Sequence, residues 1–317
     1  MLHFSSFFVG CILMVYSSLS EVTVDFEGRW ITRPPADREF PFAVLIFMSS
    51  SEDEICSGSL ITLEWVLTAA RCMYKGGNVV ENDTSLVVYA GVDGNVQDQH
   101  VQRRVSKKLV IHNSGLNDYF SLALVQIDPF LPKYNNKVVS TLHFGVDQRF
   151  TKVERTCKSG SYGRIEWDKE IPPALKKTMN LIQPCNCSNS LREAFPESST
   201  DQWMCGEYEY NIGECKGDFG AVLKCDDKDF LAVPINLVTF SDLRMCEISD
   251  KISKKCSQAS TISVYTSVCK YLVWMNSYIP SVPVNRTSCD SPNSAAYQSF
   301  VHGSIMFICI FIYHYMQ

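Results

Sequence analysis

Short apolar, β-branched runs broken by polar turns set the pattern along the middle of the chain. Phe42-Ala43-Val44-Leu45-Ile46-Phe47, Ser85-Leu86-Val87-Val88-Tyr89 and Lys108-Leu109-Val110-Ile111-His112 are such runs within a β-rich stretch from Phe40 to about Gln126. Their length and residue types are those of strands bounded by turns. A second strand-rich block extends from Cys157 to Thr266. The strands are unevenly spaced and carry no repeated helical period, which predicts an all-β barrel class. One stretch reads differently. From Val268 to Tyr278, residues Tyr271, Leu272, Trp274 and Met275 fall at helical spacing, so a helix is expected to follow the last strand.

The two ends carry their own patterns. Phe7 to Tyr16 is an apolar run preceded by His3 and followed by the small residues Ser18 and Ser20. That is the layout of a signal peptide over 1–20, cut after Ser20, and the run is too short to span a bilayer. Residues 21–29 then form a short pro-segment. Beyond Pro280 the composition turns to Pro, Ser and Asn, a stalk over 281–293. Small residues Ser294-Ala295-Ala296, a spacer from Tyr297 to Gly303 and an apolar end from Ile305 to Ile312 follow. Residues 294–317 thus match a glycolipid-anchor (GPI) signal with Asn293 or Ser294 as attachment site, the alternative being an ordinary apolar C-terminus.

Composition narrows the function. The 317 residues are 46% hydrophobic with a net charge of -5, enough for a substantial core. Mild acidity without a basic cluster argues against nucleic acid as a partner, and no paired metal-ligand spacing occurs, so neither a metal nor another cofactor is implied. Fourteen cysteines without metal motifs imply an oxidising compartment, hence a secreted protein. In that setting Asn82-Asp83-Thr84 and Asn285-Arg286-Thr287 are glycosylation acceptors in polar surroundings. Asn186-Cys187-Ser188 is a weaker one beside a cysteine.

Three motifs carry the chemistry. Gly217-Asp218-Phe219-Gly220-Ala221 resembles the Gly-Asp-Ser-Gly-Gly loop of the trypsin/chymotrypsin-like serine proteases, with Phe219 at the nucleophile position. Cys56-Ser57-Gly58-Ser59-Leu60-Ile61, then Trp65-Val66-Leu67-Thr68-Ala69-Ala70-Arg71-Cys72, resembles the segment that carries the family's catalytic histidine, with Arg71 in its place. Ser121-Leu122-Ala123-Leu124-Val125 is similar to the Asp-Ile-Ala-Leu-Leu strand, with Ser121 at the aspartate position. The resemblance covers about residues 30–280 and implies two six-stranded antiparallel β-barrels closed by a C-terminal helix.

The same resemblance implies several finer features. Activation cleavage would fall at Arg29, although Thr32 and Arg33 replace the family's flexible glycines; Asp218, its acceptor for the new amine, is kept. Disulfides are expected at Cys56–Cys72, Cys157–Cys225, Cys187–Cys205 and Cys215 with Cys246 or Cys256, and Cys185 is the expected partner of Cys269. Gly213 would floor the specificity pocket, Thr239-Phe240-Ser241 would be the strand that pairs with substrate backbone, and Ser263 would narrow the pocket wall. Gly217 would keep an oxyanion-type amide.

In this family serine attacks, histidine takes the proton and aspartate orients the histidine. Guanidinium stays protonated at physiological pH and a phenyl ring has no nucleophilic atom, so the matched positions predict a non-catalytic homologue. Such a chain would bind extracellular proteins as cofactor, decoy or regulator, in an immune or reproductive cascade for example. The alternatives are an active serine endopeptidase with a relocated triad, drawing on His100, His112, His143 or Asp118, and a GPI-anchored surface receptor or adhesion module. In the favoured reading Arg71 and Phe219 should lie close enough to stack, the other option being Arg71 in solvent.

Overall fold

The computed structural model describes residues 22–24, 30–32, 39–48, 51–75, 78–79, 83–112, 120–144, 155–164, 175–195, 203–206, 214–225, 230–256 and 260–284. A hairpin of β1 (Val22–Val24) and β2 (Trp30–Thr32) comes first. Then follow β3 (Ala43–Met48), β4 (Ser51–Thr62) and β5 (Trp65–Ala69), a 3-10 turn at Ala70–Met73, and a ribbon of β6 (Tyr74–Lys75) with β7 (Asn78–Val79). β8 (Leu86–Ala90), β9 (Gln102–Ile111) and β10 (Leu122–Ile127) complete a closed barrel in the order β10-β5-β4-β3-β8-β9. β3 and β5 are almost wholly buried, as expected of apolar runs inside a closed sheet.

A linker with the ribbon β11 (Lys133–Tyr134) and β12 (Lys137–Val138) leads to the second barrel. Its strands are β13 (Arg155–Ser161), β14 (Lys176–Pro184), β15 (Trp203–Gly206), β16 (Leu223–Cys225), β17 (Phe230–Asp242), β18 (Glu247–Asp250) and β19 (Thr261–Ser267). They are ordered β16-β13-β14-β15-β19-β17-β18, and an extra β16–β17 pairing closes six of them while β18 hangs on the outer edge of β17. A short helix α1 (Ser188–Ala194) sits between β14 and β15. A 3-10 turn at Val268–Tyr271 runs into α2 (Leu272–Tyr278), which ends the fold where the pattern predicted a helix. The two-barrel expectation is met.

Five disulfides brace the described residues. Cys56–Cys72 and Cys157–Cys225 are as expected, and Cys215 takes Cys256, the second of its two options. The expected Cys187–Cys205 bridge is not formed. Cys205 pairs with Cys185 instead, because the β14–β15 register sets Gln183 opposite Cys205 and leaves the end of β14 beside it. Cys187, at the start of α1, turns toward the β17–β18 hairpin and joins Cys246. The expected Cys185–Cys269 pair is thereby ruled out, Cys185 being taken by Cys205; Cys269 is itself disulfide-bonded.

Candidate functional site

The site forms where the 3-10 turn after β5 in the first barrel meets the Cys215–Gly220 loop of the second. That loop is built on glycine geometry. Gly217 and Gly220 have φ of +98° and +89°, conformations that L side chains rarely adopt. A Cβ on Gly220 would stand 2.1 Å from Thr68 Oγ1, so the loop must pass this close to β5 as glycine. Ser57 N donates to Phe219 O at 3.0 Å and Gly220 N to Pro234 O at 3.2 Å. Ser57 Oγ donates to Gly217 O at 2.7 Å and accepts from Tyr162 N at 2.8 Å.

Asp218 is fully buried and held by backbone donors. Its Oδ1 accepts from Gly163 N at 3.0 Å and its Oδ2 from Cys215 N at 2.9 Å. A Cβ on Gly163 would overlap that carboxylate at 2.0 Å. The Gly160–Gly163 segment and the Asp218 loop are therefore fitted to each other, and the carboxylate's charge is spread over amide dipoles.

Arg71, Ser121 and Phe219 are brought to one place from three elements. The Arg71 guanidinium carbon lies 3.7 Å from the Phe219 ring centroid, so the stacked arrangement is the one adopted. Its Nη1 donates to Asn236 Oδ1 at 3.2 Å and to Ile235 O at 3.5 Å. Phe219 is only 2% exposed. Ser121 is buried, its Oγ donating to His112 O at 3.0 Å while Ala70 N donates to Ser121 O at 2.8 Å. A delocalised cation on an aromatic face gains about 0.5–2 kcal/mol, more as water is excluded.

The remaining predicted residues are more dispersed. Gly213, Asn82, Asn285 and Asp118 lie outside the described residues. Asn186 is exposed. Ser263 is buried and opposite both Gly206 and Leu237. Thr239 and Phe240 are buried further along β17, and Ser241 is exposed and bonded to Glu247. The residues of that strand that actually reach Arg71 are Ile235 and Asn236. Sequence reasoning passed over Asn236, although a lone amide inside the apolar run Leu231–Val238 was a visible signal. It also missed Glu214, buried beside Gly213, with Oε1 accepting from Tyr265 Oη at 3.1 Å.

His112 stands edge-on to Tyr271 and Trp274 at 4.8 and 5.1 Å. His143 lines an open groove with Ile61, Leu63, Phe144 and Val282, on the linker side of the first barrel. Among the described residues no His, Cys, Asp or Glu cluster could hold a metal ion.

Two closed six-stranded barrels with a catalytic-type loop at their junction define the chymotrypsin-like class of serine protease fold. A profile of the trypsin family matches residues 30–275, and the chain belongs to that family. It is 25% identical over 269 residues to urokinase-type plasminogen activator of Gallus gallus, covering 80% of this chain and 57% of that protein. It is 27% identical over 266 residues to transmembrane protease serine 7 of Rattus norvegicus, covering 81% of this chain and 28% of that protein. An alpha-fibrinogenase-like protein of Daboia siamensis is 27% identical over 241 residues, covering 74% of this chain and 81% of that one. The chain thus spans well under two thirds of the first two relatives. Among solved structures, the serine protease neuropsin of mouse brain superposes with a TM-score of 0.54 at 21% identity, over 76% of this chain and 95% of that one, a likeness of fold.

Proposed function

We propose that this chain is a secreted, non-catalytic member of the trypsin family that acts by binding extracellular proteins: proteases, inhibitors or surface ligands. The observation that carries this reading is the stacking of Arg71 on Phe219. The positions that match the family's base and nucleophile hold a permanent cation and an inert ring, packed 3.7 Å apart. Neither can shuttle a proton or attack a carbonyl, and losing both members of such a pair leaves no covalent route. Ser121, at the matched aspartate position, carries no charge to orient an imidazole.

Five disulfides in the described residues support an oxidising, extracellular setting. The leader pattern at 1–20 supports secretion, and one relative, transmembrane protease serine 7, is by its name a membrane protein. A fluorophosphonate probe on the purified natural protein tests the reading, with a Phe219→Ser plus Arg71→His variant alongside. No labelling of the natural protein is expected; its labelling, or turnover of an ester or peptide, would overturn it in favour of a relocated triad.

A second reading, a GPI-anchored surface protein, rests on the small-residue, spacer and apolar pattern over 294–317. It is compatible with the first. Release of the protein from cells by a phosphatidylinositol-specific phospholipase is its expected signature; mature protein that still contains Ile305 to Gln317 would reject it.

A further inference from the structure

The edge of β17 beside Arg71 and Phe219 is where an extended peptide would add as a further strand. Its other edge is taken by β19, from Ala232↔Ser267 to Thr239↔Thr261. Along the near edge, polar backbone groups are engaged in succession by the chain itself. β16 pairs at Leu223↔Ala232 to Cys225↔Phe230. Gly220 N then donates to Pro234 O at 3.2 Å, and Arg71 Nη1 to Ile235 O at 3.5 Å. Ser253 N donates to Leu237 O at 2.9 Å. Beyond that, β18 pairs at Thr239↔Asp250, Phe240↔Ile248 and Asp242↔Glu247.

The segment that supplies the last of these bonds, Glu247 to Lys255, is anchored by more than its backbone. Asn236 Nδ2 donates to Lys251 O at 2.8 Å. Lys251 Nζ reaches Ala194 O at 2.9 Å, at the end of α1. Ser253 is fully buried between the exposed Ile252 and Lys254. Its hydroxyl accepts from Thr239 Oγ1 at 2.5 Å, and Thr239 Oγ1 lies 2.9 Å from Thr261 Oγ1. Disulfides staple both ends, Cys246 to Cys187 and Cys256 to Cys215. The second staple joins the strap to the loop that carries Phe219.

We propose that Glu247–Lys255 is a built-in occupant of the peptide-adding edge of β17. The strap takes the place of an extended guest, so substrate-like peptides and inhibitor loops are refused at this cleft. Proteins that bind this chain therefore do so through other surfaces. The proposal deepens the binding reading but stands on contacts around Leu237, Thr239 and Ser253. It is thus measured separately from the fluorophosphonate outcome.

Hydrogen exchange on the full-length natural protein tests it. The Ser253 amide is expected to exchange as slowly as the amides of β17, at least about a hundredfold below the solvent-exposed rate, despite its exposed neighbours. Exchange at the solvent rate would overturn the proposal. Ser253→Pro, which removes the donor to Leu237 O, should speed exchange at Ile248 and Asp250 by about tenfold or more, leaving β19 unchanged. Unaltered exchange would count against it. If that variant fails to fold, Thr239→Val removes the hydroxyl contact and keeps the backbone donor; a smaller acceleration at Ser253 is expected, and none would refute the strap. A small disulfide-rich inhibitor protein whose loop adds as a strand, at about 100 μM, should leave Ser253 exchange unchanged. Release of Ser253 by that inhibitor would overturn the proposal.

Discussion

Arg71 donates to two acceptors and covers a ring at once, so its removal acts on several groups. Arg71→Ala leaves Asn236 Oδ1 without this donor and opens the Phe219 face, and is expected to cost about 1–2 kcal/mol. Phe219→Ala removes a nearly buried ring and should cost about 3–5 kcal/mol. In a double-mutant cycle read by denaturant unfolding, a coupling of about 0.5–2 kcal/mol is expected, and additivity would deny the contact its energy. Lys270 sets a pH signature. Burial lowers its amine from 10.5 to about 8, so between these values the unfolded chain holds the proton and the folded chain does not. Stability should rise with pH across that window. Burial pushes the neighbouring Tyr271 phenol up. Its contribution is present below pH 10 and lost as the unfolded phenol ionises above it. Thermal melts from pH 7 to 11 should show a rise that turns over near pH 10, and Lys270→Met should flatten the rise.

At the scale of elements, the fit between two loops governs the site. Gly163→Ala would drive a methyl into the Asp218 carboxylate at 2.0 Å, displacing one loop or the other. A loss of about 2 kcal/mol or more in unfolding free energy is expected, whereas Gly94→Ala, with nothing within 4 Å of its Cβ, pays only for its φ of +97°. Much of this architecture was legible in the chain. The apolar runs marked β3, β8 and the end of β9, and helical spacing marked α2, because burial imposes those periods directly. The matched motifs located Arg71, Ser121 and Phe219 as neighbours. The cysteine pairing around α1 was not legible. Cys185 and Cys187 are two residues apart, and only the β14–β15 register decides which of them faces Cys205. The strap was equally hidden, since bonds such as Ser253 N to Leu237 O depend on how a hairpin folds back. A local propensity does not encode that.

For the whole molecule, the proposed secretion and tethering rest on sequence patterns at the ends, while the proposed binding rests on the double barrel. The barrels meet through backbone as well as side chains: Ser57 N to Phe219 O, and Arg71 of the first across to Asn236 in the second. Gln102 fastens the linker to the first barrel by two bonds of 2.8 Å with Leu131. Active relatives must keep the seam between such halves open to water and to a guest, which is a standing source of instability. Here a cation and a ring from opposite halves fill that seam. The two halves should consequently melt as one: calorimetric and van't Hoff enthalpies ought to agree, and the molecule to behave as a rigid bearing surface rather than a jaw.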